Sequence, residues 1–349
     1  MSFLQAVILL LVHSLNGERT TSSIYHLLNG KKSSQTIQDA HLYQLTKWFH
    51  TVPFLDRDLF NKQLSYLELN GWIYIDRQTA YITVSGQREL QCFFKSKSDL
   101  PYLKGWQLQD HSIVFWRRIN LLFQVVSHLA YREAKYHPVT REEAVHRWLK
   151  VFLQSLNLPR QELSQQLYKE VHQLLRQQKV EDPLFFILRL SGKNMIGKTA
   201  SQCANMLRVE ETEYWFRFLH LLHYIVGTVA TDSEQYPLLY AVIKDVYHHM
   251  TLTRSTKRTA ELLAAGYPME EVAEMRNLKV STIEDHIVEI ALNNPDFPID
   301  NFIGQEDVEQ VIKNAVKLTH KKLKPIKEVL PHLTYFQIRL ALAKHGDSI

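Results

Sequence analysis

The stretch from Arg254 to Asn293 constrains this chain more than any other, because its helices and breaks are spaced too closely for most folds. Leu262, Leu263, Val272, Ala273, Leu278, Ile283 and Ile287 recur at helical spacing. Gly266 ends the first helix, since the residue just past a helix end often needs positive φ. Pro268 opens the second. Asn277 stands where the second helix must turn into the third, and asparagine tolerates the left-handed conformation there. Ser281 and Glu284 have the spacing of a capping box for the third helix, and Ala273 is small where two helices would cross. Together these features predict a helix-turn-helix.

A family resemblance rests on these residues. The run from Gly266 to Ile287, GYPMEEVAEMRNLKVSTIEDHI, resembles the helix-turn-helix module at the C-terminus of some RecQ-family DNA helicases. The runs LKPIKEVLP (323–331) and YFQIRLALA (335–343) resemble the tail of the same module. The module covers less than a third of the chain, and the whole chain is similar to the free-standing YpbB-type proteins of bacteria, which carry it without a helicase. Pro268 and Asn277 stand where Ser and Gly are commoner, and both are conformationally reasonable. The resemblance implies a protein that supplies in trans what some RecQ-type helicases carry on their own tail, with such a helicase as partner.

A chain of 349 residues has ample core for two or three domains. Its hydrophobic content of 45% and charged content of 22% are ordinary for a globular protein, and its net charge of +5 permits an anionic partner without demanding one. With only Cys92 and Cys203, a disulfide framework is not expected, and the chain reads as cytoplasmic. The apolar run Ala6–Val12 lacks a preceding basic residue and a following cleavage site, and is too short to span a membrane. It reads as a buried helix.

The N-terminal segment, residues 1–95, reads as a winged helix. Helices are expected at Phe3–Leu15, within Thr20–Ser34, from Gln38 to His50 and from Asp56 to Asn70. Trp72–Ile75 and Ala80–Val84 then form a small β hairpin around Asp76–Thr79. Arg57, Lys62 and Arg77 are interspersed with Asp56, Asp58, Glu68 and Asp76, a thin set for neutralising phosphates, so protein docking or a purely structural role is favoured over DNA contact.

Residues 96–109 read as a linker, and residues 110–250 as a helical middle domain. One long helix is expected from Ile113 to Lys135, and another to Leu156 opened by a Thr140–Glu143 capping box. A third follows Pro159 with Leu163, Leu167, Val171 and Leu174 on one face. Gly192 to Thr199 satisfies the Walker A pattern, in which Gly192 and Gly197 would bend backbone amides around phosphates, Lys198 would meet the terminal phosphates and Thr199 would hold Mg²⁺. No alternation of strands and helices surrounds it, which counts against a P-loop domain. Thr199, Gln202, Ala204, Leu207, Val209 and Tyr214 alternatively have the spacing of a second helix-turn-helix, with its last helix from Glu211 to Val226. His220, His223, His248 and His249 fall short of a zinc ligand set. No catalytic constellation stands out, and no cofactor is expected.

The C-terminal module, residues 251–349, carries the functional expectation. Its third helix would begin at Ser281, with Thr282 near its start, while Glu284, Asp285 and Glu289 would repel phosphate. Arg276 and Lys279 are placed to hold a DNA backbone. From Gln310 to Lys327 there are six lysines and no acid, and Lys313, Lys317, Lys321 and Lys324 line one face of a helix that Pro325 ends or kinks. Thr334 and Gln337 cap the last helix.

The expected fold is therefore mostly α: an N-terminal winged helix with a small β hairpin, a helical middle and a C-terminal helix-turn-helix module. The expected function is a non-catalytic DNA-binding accessory acting with a RecQ-type helicase in DNA repair or recombination. The rivals are a transcription regulator and an ATPase using the Walker-like run.

Overall fold

The fold is that of a computed structural model, which describes residues 1–97, 99–133, 135–156, 158–179, 181–247, 251–318 and 322–345. It is mostly helical, with one two-stranded sheet among the described residues. Its packing divides the chain into two units: Met1–Val7 with Gln91–His248, and Ile8–Leu90 with His249–Ile349. The N-terminal helices thus share a unit with the C-terminal module, from which the middle of the chain separates them in sequence. No described helix is long and apolar enough to cross a membrane.

Helix α1 (Phe3–Leu15) buries nearly all of the apolar N-terminal run and stops where Asn16 and Gly17 turn left-handed, at φ 43° and 75°. Helix α2 (Thr21–Asn29) ends on Gly30, also left-handed. The helix expected at 38–50 instead begins earlier, as α3 (Ser34–Leu42) capped by Ser33. It stops at Leu42, before left-handed Gln44; a single 3-10 turn, Thr46–Trp48, then leads to His50, also at positive φ. Asp56 caps α4 (Arg57–Leu69) by accepting from the Leu59 amide at 2.7 Å. Strands β1 (Ile73–Asp76) and β2 (Thr79–Ile82) pair antiparallel, Ile73 opposite Ile82 and Asp76 opposite Thr79. Val84, expected to end the second strand, opens helix α5 (Val84–Lys95), because the Thr83 hydroxyl accepts from the Gly86 amide at 3.0 Å.

In the middle unit, α6 (Gly105–Ala130) begins inside the expected linker and stops short of Lys135. Helix α7 (Glu143–Ser155) lacks the Thr140–Glu143 box; Thr140 bonds the Glu142 amide instead. Helix α8 (Arg160–Gln177) buries Leu163, Leu167 and Leu174. Helices α9 (Leu184–Ile187), α10 (Ala200–Leu207), α11 (Glu211–Thr231) and α12 (Pro237–Ile243) complete it. Arg118 on α6 grips Asp245 with both guanidinium nitrogens, at 2.6 and 2.8 Å, and donates to the Val242 carbonyl, tying α6 to the end of α12.

The C-terminal segment contributes α13 (Arg254–Ala264), α14 (Met269–Arg276), α15 (Val280–Asn293), α16 (Gln305–Leu318), α17 (Leu323–Val329) and α18 (Tyr335–His345). The expected lysine helix is therefore two helices, and Pro325 lies in the first turn of α17, where its missing N–H costs nothing. The Thr334–Gln337 box before α18 forms, with both reciprocal bonds present at 2.9 and 3.2 Å. Val272, Ile283, Ile287, Val311, Ile326, Ile338 and Leu340 have no exposed surface. Each such side chain contributes about 1.5–3 kcal/mol of burial. Helix α3 packs against α15 and α18 within the same unit.

Candidate nucleic-acid interface

Helices α13, α14 and α15 form the expected helix-turn-helix. Gly266 lies at φ 92° after α13, and Pro268 is the residue just before α14. Asn277 is left-handed at φ 50° and ψ 47°, which lets the Leu278 amide reach back to the Ala273 carbonyl at 2.9 Å. Ala273, 4% exposed, keeps the crossing with α15 close. The Ser281–Glu284 capping box does not form. The turn at Asn277 makes Lys279 the extended boundary residue, so α15 starts at Val280 and Ser281 already lies inside its first turn. Lys279 offers no side-chain cap, leaving the positive end of α15 open to an anion.

Of the acids of α15, Glu289 is buried and Asp285 is neutralised by a partner. Glu289 is 6% exposed and accepts from the Thr253 amide (2.5 Å) and the hydroxyls of Thr253 (3.1 Å) and Thr256 (2.6 Å). Asp285 pairs with Arg339 at 2.5 Å. Glu284 is half-buried, and burial raises its carboxyl pKa against the pull of Arg339. What the first turn exposes is Lys279, Val280 and Ser281, with Thr282 half-buried behind them.

Arg276 is the second correction. Its guanidinium donates to the Ser255 carbonyl (2.9 Å) and hydroxyl (3.1 Å) and to the Thr259 hydroxyl, close to His286 Nδ1. It holds α14 to α13 and has little left for a phosphate. Burial, and then the Arg276 charge, hold His286 below its ordinary pKa of 6.5, opposed by Asp285. The unfolded chain therefore takes up a proton that the folded chain resists. The stabilisation is complete above 6.5 and is lost as pH falls through the depressed folded value. Thermal unfolding followed from about pH 7.5 to 5.5 should show the midpoint falling, and His286→Gln should reduce that fall, the remainder coming from His223, whose pKa burial also depresses.

The lysine row is split by the helix break. Lys313 and Lys317 are exposed on α16 and Lys324 on α17, where Glu328 lies 4.0 Å away; Lys321 lies outside the described residues. Lys327 is occupied, donating to the carbonyls of Pro331 and Leu333. The sequence reading passed over Arg254 and Lys257. Their signal was an α13 that carries three cations before its first acid, Glu261; of these Arg254 is exposed, Lys257 half-exposed, and Arg258 pairs with Glu261 at 2.8 Å.

The middle unit repeats the turn. Helices α10 and α14 are both eight residues long, Arg208 takes the left-handed role of Asn277 at φ 55°, and the Val209 amide reaches back to the Ala204 carbonyl at 3.0 Å. Yet the first turn of α11 is acidic, and it is occupied. Glu210 accepts from the Phe3 amide and Thr212 from the Leu4 amide, so α1 covers the position where a base edge would lie. The first turn of this second helix-turn-helix is therefore taken up by contacts with α1.

The Walker-like run is not shaped for phosphate. Helix α9 precedes it instead of a strand. The amides of Gly192, Lys193, Met195, Gly197 and Lys198 are bonded to the Met195 carbonyl, Ser127 hydroxyl, Gly192 carbonyl, Ser191 hydroxyl and Leu188 carbonyl. Gly197 is needed because a Cβ there would lie 2.2 Å from the Arg189 carbonyl oxygen. Thr199 forms a capping box with Gln202 at the start of α10. In an anisotropy titration, a fluorescent ATP analogue with Mg²⁺ should not saturate either the wild type or Lys198→Ala; a saturable curve lost in the variant would restore the nucleotide site. His220 bonds Glu181 at 3.0 Å, and His223 accepts from the Lys104 amide and faces Gln109 at 3.0 Å, its pKa lowered to about 3 by burial, His220 and Lys104. His248 and His249 lie outside the described residues.

These features define a helix-turn-helix protein whose last third carries the module, with exposed lysines at the start of α15 and on α16 and α17. A family model described as a helix-turn-helix domain matches residues 255–342. The chain is 33% identical over 333 residues to Protein YpbB of Bacillus subtilis (strain 168), an alignment covering 95% of this chain and 94% of that relative. It belongs to the YpbB family. No solved structure matches it.

Proposed function

We propose that this chain is a non-catalytic DNA-binding accessory that acts with a RecQ-type helicase in DNA repair or recombination in the cytoplasm. The observation that carries the DNA-binding part is the uncapped start of α15, with Lys279 and Ser281 exposed, Glu289 buried in the domain and Asp285 paired with Arg339. Lys313, Lys317 and Lys324 add exposed positive charge on α16 and α17. The helicase part rests on the likeness of residues 266–287, 323–331 and 335–343 to the tail of RecQ-family helicases.

Residues 1–95 act in this reading as a winged-helix docking domain. Arg57, one of the three cations that α4 and the hairpin offer, lies over the Tyr25 ring at 3.8 Å and is engaged within the fold. Residues 110–250 act as a helical scaffold, and residues 251–349 as the DNA-binding module.

The test is unwinding of a forked duplex by a RecQ-type helicase of the same organism, with and without the full chain. A faster rate that disappears when Lys279 and Lys313 are reversed to glutamate supports the proposal; an unchanged rate overturns the partnership. Competition with random duplex DNA separates the transcription-regulator reading. The accessory is displaced by any duplex, whereas a regulator keeps hold of its own site.

A further inference from the structure

Helices α3, α15 and α18 line a half-open cavity of about 100 Å³ within the second unit. Its walls are of two kinds. On one side stand Arg19, Gln38, Asp39 and Arg339; on the other, Val288, Leu292 and Leu342.

The polar side is incomplete. Asp39 is 5% exposed and its Oδ1 takes the Arg19 Nε–H at 2.8 Å, but among the described residues nothing bonds its Oδ2. The same holds for the buried Gln38 Nε2 and Arg339 Nε, although Arg339 Nη1 reaches Asp285. Buried donors and acceptors are rarely left without a partner, so three around one cavity point to an occupant. The space admits several waters, but the aliphatic wall offers water no partner.

The unmet groups specify that occupant. Asp39 Oδ2 calls for a donor, and burial, which raises its pKa, makes a cationic donor most useful. Arg339 Nε and Gln38 Nε2 call for an acceptor. The charges already present balance, Arg19 with Asp39 and Arg339 with Asp285. A ligand of net charge would bring an unpaired charge into a buried site, whereas a zwitterion would not.

We infer that this cavity binds a small aliphatic α-amino acid as its zwitterion. The ammonium group sits on Asp39 Oδ2, the carboxylate on Arg339 Nε and Gln38 Nε2, and the side chain against Val288, Leu292 and Leu342. Bound there, it links α3 to α15 and α18. This inference rests on the cavity alone and stands apart from the DNA-binding reading.

Thermal unfolding of the full chain tests it. L-Leucine or L-valine at about 10 mM should raise the midpoint by about 2–4 °C. Isovalerate, which lacks the ammonium, and isoamylamine, which lacks the carboxylate, should not, and nor should L-glutamate or L-lysine. Asp39→Asn and Arg339→Lys should each abolish the shift. Ala343→Leu, which fills the cavity without touching its polar side, should abolish it too and keeps the test open if the polar variants fold poorly. No shift with any aliphatic amino acid overturns the inference, because the cavity then holds water only. A shift of equal size in Ala343→Leu overturns it as well, because the ligand then sits elsewhere.

Discussion

Reversing Lys279, Lys313, Lys317 and Lys324 to glutamate should weaken binding to duplex DNA by a factor on the order of 10² to 10³ at about 0.1 M salt. Each lysine that neutralises a phosphate releases a condensed counterion, and the reversed side chain both forgoes that release and repels the backbone. Lys279 matters most, since it stands at the open end of α15, where its charge adds to that of the helix dipole. The fold should be unaffected. All four side chains are exposed, and the one close ion pair they make among the described residues, Lys324 with Glu328, is a 4.0 Å surface contact of little worth. Thermal unfolding of the variant should therefore match the wild type while an anisotropy titration shows the loss. A binding loss accompanied by a matching fall in midpoint would mean that the lysines support the fold and not the interface.

The second large effect is on stability. Ile287 has no exposed surface and sits on the inner face of α15, in the same core as Val272, Ile283 and Ile338. Ile287→Ala removes buried methyl groups and leaves a cavity that close-packed neighbours refill only in part, at a cost of about 2–5 kcal/mol. Chemical denaturation should report that loss as a lower midpoint at unchanged slope. A cost under about 0.5 kcal/mol, the range of surface substitutions, would show that α15 is not packed as described.

The turns of the helix-turn-helix could be read from the chain because they depend on local backbone geometry. Gly266 and Asn277 take the left-handed conformation for reasons carried by each residue, and Pro268 stands directly before α14. The same holds for the Thr334–Gln337 box. The start of α15 was displaced because Ser281 and Lys279 both make sense locally, and the closing bond from Leu278 to Ala273 selects between them. Glu289 was misread for a different reason. Its partners Thr253 and Thr256 lie 36 and 33 residues away, so nothing near it in sequence shows that it is buried. Arg276 was misread likewise, since Ser255 and Thr259 are brought to it only by the packing of α13 against α14. The Walker-like run satisfied a pattern of residue types while its amides were committed to partners the pattern does not include, Ser127 and Leu188 among them.

The most direct test of the DNA-binding account is the salt dependence of duplex binding, measured from about 50 to 200 mM for the wild type and the four-lysine variant. The account predicts a wild-type log–log slope of about −3 to −4, from as many phosphate contacts, collapsing toward zero in the variant. No wild-type binding at the lowest salt, or a slope that the variant leaves unchanged, would contradict it.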